Sequence, residues 1–161
     1  DDEIRAGLST FRGIRRRQQE RGTVNGITII DDFGHHPTAI RETLRGLRQR
    51  YEGRRLWALF EPRSNTSRRN VLQNELIEAL AEADGSVIAA VANPEKVAAD
   101  QRLDTAKVAQ SVTARGKPCW FEADTDAIVN RLKQETHTGD VIVVFSNGGF
   151  DGIHDKLLKT L

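Results

Sequence analysis

Methionine is missing from all 161 positions, the first included. A native chain of this size ordinarily begins with one, so the sequence is expected to be a piece of something longer. Cysteine is nearly missing too. Cys119 stands alone, which excludes an internal disulfide and suits a reducing compartment. Neither sign of charge dominates: Lys and Arg number 24 against 23 Asp and Glu, a net charge of +1. A dedicated nucleic-acid binder normally carries a clear basic surplus, so no nucleic-acid partner is expected. No apolar run comes near the ~20 residues of a membrane span. Asp1-Asp2-Glu3 has none of the marks of a secretory leader. A cytoplasmic protein without membrane contact is the expectation.

What is present is enough for one folded domain. Apolar residues make up 38% of the chain and can build a core, while 29% charged residues solvate its surface. Strand-like and helix-like segments then alternate. Ile27 to Ile30 is a β-branched run, followed by a helical face of Ile40, Leu44, Leu47 and Tyr51. Leu56 to Phe60 is the second strand, and Leu72, Leu76, Ala79, Leu80 and Ala83 mark a helix ending near Gly85. Val87 to Val91 is the third strand, and the next helix opens at Asp104 and stops before Gly116. Cys119 to Phe121 is a weak fourth strand, after which Asp124 caps a helix bearing Ala127, Ile128 and Leu132. Val141 to Phe145 is the fifth strand, with Ile153, Leu157 and Leu158 on a last helix. This alternation predicts an α/β, Rossmann-like domain: a mostly parallel sheet of five or six strands with helices on both faces. Residues 1–22, with their basic stretch, are expected to be a lead-in from an upstream domain, and 23–161 the domain itself.

Ligands bind beyond the carboxyl ends of the strands in such sheets. The turn after strand one reads Asp31-Asp32-Phe33-Gly34-His35-His36-Pro37-Thr38. Its carboxylates suit a metal, ribose hydroxyls or a proton, and Pro37 starts a helix whose N-terminus favours an anion. His35 and His36 suit a general base, a phosphate contact or a metal ligand, though no third ligand accompanies them for zinc. After strand two, Arg63 offers a fork for carboxylate or phosphate, with Ser64, Asn65 and Thr66 beside it. Arg68 and Arg69 are expected to be solvated. After strand five, Ser146-Asn147-Gly148-Gly149 lets backbone amides approach a ligand. Asn93-Pro94 is expected to be a turn, Cys119 core, and His137 and His154 surface or packing residues. There is no G-x-x-x-x-G-K-[ST] loop and no G-x-G-x-x-G, so the chain cannot grip a triphosphate or dinucleotide in the usual way.

Phe11-x-Gly13-x-x-Arg16-Arg17, followed about fourteen residues later by the Asp31 to Thr38 block, resembles the junction between the central and C-terminal domains of the Mur ligases, ATP-dependent cell-wall peptide ligases. Phe60 to Thr66 and Ser146 to His154 are most similar to the branch that joins L-alanyl-γ-D-glutamyl-meso-diaminopimelate to UDP-N-acetylmuramate in peptidoglycan recycling. The branch that adds L-alanine shares the Asp-Asp and His-His-Pro block but usually has a His-Arg-Tyr-Thr-type sequence in place of Arg63 to Thr66. The resemblance implies a C-terminal domain, inactive alone, in a bacterial cytoplasmic enzyme. ATP and Mg2+ would be bound mainly by the missing upstream domain, with no metal ligand in this chain. Arg17 and Asp32 would contact the nucleotide, Asp32 without serving the fold. His35 or His36, Arg63, Ser64, Asn65, Thr66, Ser146, Asn147, Gly148 and Gly149 would handle the incoming peptide. It names no catalytic residue here. The alternatives are the L-alanine branch and, from another class, a non-enzymatic α/β module holding an acidic metabolite.

Overall fold

The computed structural model describes residues 2–10 and 13–161; Asp1, and Phe11 and Arg12 of the lead-in motif, lie outside them. In chain order the elements are α1 (Asp2–Thr10), β1 (Gln19–Val24), β2 (Ile27–Asp32), α2 (Pro37–Arg50), β3 (Leu56–Phe60), α3 (Gln73–Leu80), β4 (Gly85–Ala89), α4 (Thr105–Thr113), β5 (Cys119–Glu122), α5 (Thr125–Glu135), β6 (Val141–Phe145) and α6 (Ile153–Thr160). The strands form one sheet in the order β1-β2-β6-β3-β4-β5. Every pairing is parallel except that of β1 with β2. The expected α/β, Rossmann-like architecture is therefore the one observed.

Strand pleating sorts the apolar residues between two layers. On one face Ile30, Ala58, Phe60, Val143 and Phe145 pack with α2, α3 and α4. On the other Ile29, Trp57, Leu59, Ile142 and Val144 pack with α5 and α6. Central strands covered on both sides read as unbroken apolar runs, which is why β3 and β6 stand out in the sequence. Helix starts follow their caps. Asp104 accepts from Lys107 N at 2.9 Å and Asp124 from Ala127 N at 2.8 Å, while Pro37 opens α2.

The structure departs from expectation in two places. The boundary drawn at 22/23 falls inside β1, an antiparallel edge strand too polar to stand out. It is joined to β2 by Asn25 and Gly26, whose φ of 48° and 79° suit a two-residue hairpin turn. Second, α3 stops at Leu80 and β4 begins at Gly85, two residues before the expected Val87. Gly85 serves the sheet rather than a helix end: a Cβ there would come within 2.5 Å of the Trp57 ring. Trp57 is itself fixed by stacking on Trp120 at 5.8 Å and by donating Nε1 to Asp140 at 3.0 Å. No helix among the described residues is long and apolar enough to cross a membrane.

Candidate functional site

Asp32, Phe145 and Phe60 are register partners across β2, β6 and β3. The residues that follow them therefore emerge together at the carboxyl edge of the three central strands. Ser146, fully buried, donates its hydroxyl to Glu61 Oε2 at 2.5 Å and accepts from Gly148 N at 3.0 Å. Glu61 is buried as well, so this hydrogen bond keeps its carboxylate from being an orphaned charge. The Arg63 side chain lies directly on Gly148 and leaves no room for a Cβ there. Its guanidinium is exposed, with Nη1 3.5 Å from Glu61 Oε1. Beyond it opens a cavity of about 330 Å3, floored by Ala89 to Ala92 and rimmed by Asp124 and Asp151. Asn147 adds a buried side-chain oxygen that receives no hydrogen bond among the described residues.

A larger cleft of about 840 Å3 lies between the lead-in, β1 and α2, with Arg15, Arg17, Arg50, Glu20 and Asp32 on its walls. The Arg17 guanidinium stands 5.8 Å from the centre of the Phe33 ring. Asp32 was expected to serve a nucleotide and not the fold. The structure corrects the second half: its buried carboxylate accepts from Gly34 N at 2.7 Å and Gln18 N at 3.0 Å, so it also holds the turn.

Between the two openings Asp31 is buried beside two guanidinium groups and an imidazole. Arg16 Nε lies 3.2 Å, Arg21 Nη1 3.6 Å and His154 Nε2 3.4 Å from its carboxylate. Burial pushes the Asp31 carboxyl up, but His154 and then Arg16 outweigh it and hold its pKa below the ordinary value. A carboxyl depressed in the folded state stabilises the fold above its unfolded pKa of ~3.9 and loses that contribution as pH falls through the folded value. Asp31→Asn is therefore expected to lower the melting temperature at pH 7, with the gap to wild type shrinking below about pH 4. Melts across pH 3–8 check this, and a gap independent of pH would disprove it.

Other expected site residues are turned to local tasks. His36 caps α2, its Nδ1 accepting from Thr38 N at 3.3 Å. His35 Nδ1 is 3.2 Å from Phe33 O, and His35 lines a separate narrow cavity with Ser67 and Arg69. Ser64 and Ser67 close their own turn, hydroxyl to hydroxyl at 2.8 Å, and Asn65 and Thr66 are exposed beside it. Arg68 is not solvated but buried, 3.5 Å from Asn65 Oδ1, because the chain between β4 and α4 folds across it: its carbonyl accepts from Leu103 N at 2.8 Å. Cys119 is core, its thiol pushed up to about 12 by burial. Local sequence does not reveal Arg16, Asp31, Glu61 and His154 as partners in one network. For His154 a signal existed: three residues before Leu157, it falls on the apolar face of α6. Among the described residues no group of three or more His, Cys, Asp or Glu could hold a metal ion.

A parallel sheet that delivers Arg, Glu, Asp and a glycine-rich turn to the carboxyl edge of its central strands defines a ligand-binding α/β domain. Within that class the chain belongs to the Mur ligase, glutamate ligase domain family, whose model matches residues 16–148. The family consists of ATP-dependent ligases that form C–N bonds between acids and amino acids. The UDP-N-acetylmuramate–L-alanyl-γ-D-glutamyl-meso-2,6-diaminoheptandioate ligase of Escherichia coli K12 is 39% identical over 156 residues, 96% of this chain and 32% of its own length. The UDP-N-acetylmuramate–L-alanine ligase of Lachnospira eligens is 34% identical over 163 residues, 98% of this chain and 34% of its own. The crystal structure of a murein peptide ligase from Psychrobacter arcticus 273-4 superimposes with a TM-score of 0.78 at 36% identity, covering 96% of this chain and 32% of that one. The chain thus spans about a third of the length of these relatives.

Proposed function

We propose that the chain, with a lead-in ahead of β1, forms the C-terminal domain of an ATP-dependent ligase that joins L-alanyl-γ-D-glutamyl-meso-diaminopimelate to UDP-N-acetylmuramate in peptidoglycan recycling, in the bacterial cytoplasm. The observation that carries this is Arg63, packed on Gly148 above the Ser146–Glu61 pair and facing a cavity of about 330 Å3. The tripeptide bears several carboxylates, and a guanidinium fork binds a carboxylate through two parallel hydrogen bonds. Similarity to the Escherichia coli ligase supports the tripeptide as acceptor.

The donor set of the larger cleft fits a nucleotide. Arg15, Arg17 and Arg50 suit phosphates, and Asp32 suits hydroxyl groups. Arg17 and Asp32 would hold ATP on this side, with Mg2+ and the phosphate-gripping residues upstream. When bound, ATP supplies the phosphoryl group that activates the UDP-N-acetylmuramate carboxylate. This chain's own residues position and neutralise charge: Arg63 holds an acceptor carboxylate, and the Ser146 to Gly149 turn fixes the acceptor so that its amino group faces the activated carbonyl.

Similarity to L-alanine ligases at 34% identity supports a second reading in which the acceptor is L-alanine. The cavity beyond Arg63 is larger than that single amino acid requires. In the longer polypeptide, phosphate release with each acceptor is expected to favour the tripeptide by more than about tenfold in kcat/KM. A preference for L-alanine would replace the first reading by the second. The 161-residue chain alone is expected to turn over no ATP, and sustained turnover by the purified chain would count against the domain assignment.

A further inference from the structure

We infer that Arg16 is a positioning residue that clasps the lead-in to the turn after β6, so that seating the lead-in sets the backbone under Arg63. This deepens the proposed function and rests on reading Arg63 as the acceptor clamp. Arg16 Nη2 donates to the carbonyls of both Ser146 and Gly148, each at 2.8 Å, while its Nε faces Asp31. Its own backbone is tied down on both sides. Arg16 N donates to Gln19 Oε1 at 3.0 Å, and its carbonyl accepts from Phe33 N at 2.8 Å. It takes up a left-handed φ of 58°, which a β-carbon disfavours and which these bonds must outweigh. One guanidinium thus joins the lead-in, the end of β2 and the turn after β6. Through Asp31 the clasp reaches Arg21 on β1 and His154 on α6.

Two adjacent pairs divide their labour across this clasp. Arg17 and Asp32 face the large cleft, while Arg16 and Asp31 face a separate cavity of about 230 Å3 that Gly148 and Gly149 also line. A shift of the lead-in that moves Arg17 therefore moves Arg16, and with it the carbonyls of Ser146 and Gly148. The receiving turn runs on into a strained segment. Phe150, Asp151 and Gly152 are three successive left-handed residues, at φ 43°, 48° and 65°. Such residues normally occur singly, and the run is pinned from its far side by Lys156, 2.7 Å from Asp151 Oδ2. Arg16 supplies the near side.

The test has two arms, with Arg16→Ala and Arg16→Lys. In the 161-residue chain, hydrogen exchange of the backbone amides of residues 146–149 is expected to be about tenfold faster in Arg16→Ala, with the amides of β3 and β6 unchanged. Lys, which can still reach one carbonyl, is expected to restore part of the protection. In the longer ligase, Arg16→Ala is expected to raise the KM for the peptide about tenfold while the KM for ATP stays within about twofold. Unchanged exchange of the turn amides would overturn the clasp whatever the enzyme does. Faster exchange with an equal rise in both KM values would overturn its link to the acceptor. If the wild-type polypeptide ligates neither acceptor, the proposed function falls, and the exchange arm still decides the clasp.

Discussion

Arg63→Lys in the full-length ligase is expected to lower kcat/KM for the tripeptide by about ten- to a hundredfold, and Arg63→Ala by at least as much. The positive charge survives in the lysine variant; the fork does not. Two parallel N–H groups grip a carboxylate in one orientation, whereas an ammonium is a point charge on a flexible stem. The flat guanidinium also rests on Gly148, where any bulk would displace it. Its contact with Glu61 is long, 3.5 Å, and its side chain 43% exposed, so little of the fold depends on it. Melting of the domain should hence move by no more than the ~0.5 kcal/mol typical of surface changes. Steady-state kinetics with peptide and ATP varied separately give the answer. Equal damage to both substrates, or none to the peptide, would remove Arg63 from the acceptor site.

Asp32→Asn is expected to harm both stability and nucleotide affinity. The carboxylate accepts from the amides of Gly34 and Gln18. Asparagine keeps one oxygen and turns an NH2 group toward the other donor. A buried donor left without an acceptor costs about 1–3 kcal/mol. In a domain of this size that lowers the melting temperature by roughly 2–12 °C. Because Gln18 follows Arg17 directly, loosening it also releases a wall of the large cleft, and the KM for ATP should rise. Calorimetry of the 161-residue chain isolates the first effect. An unchanged melting temperature would mean that the two hydrogen bonds contribute nothing to the fold.

The parts of the fold legible in the sequence are those where local chemistry and tertiary demand agree. β3 and β6 are apolar on both faces because both faces are covered, and α2, α4 and α5 begin at residues whose side chains or rings suit a helix start. β1 escaped because an edge strand with one solvated face has no apolar run; its trace was the Asn25-Gly26 turn. At the site, the strand-end rule brought Arg63, Ser146 and Gly148 together without knowledge of their contacts. The capping bond that His36 accepts from Thr38 N was not legible, since His is an uncommon residue at a helix start. Asp31 and His154 were undervalued, because their meeting depends on α6 packing beside β2, a contact between residues far apart in the chain.

The strand order bears on how this domain is made. β6, the last strand in the chain, is the one that lies between β2 and β3 and pairs with both. Until it arrives, the two earlier strands have no neighbour to close the gap, and the β2 and β3 halves of the sheet remain apart. At about 5–20 residues added per second on the ribosome, the wait from the end of β3 to the end of β6 lasts several seconds. Through that interval the apolar edges of β2 and β3 are open to foreign strands. A nascent chain arrested before Val141 should therefore bind holdase chaperones, and one released after α6 should not.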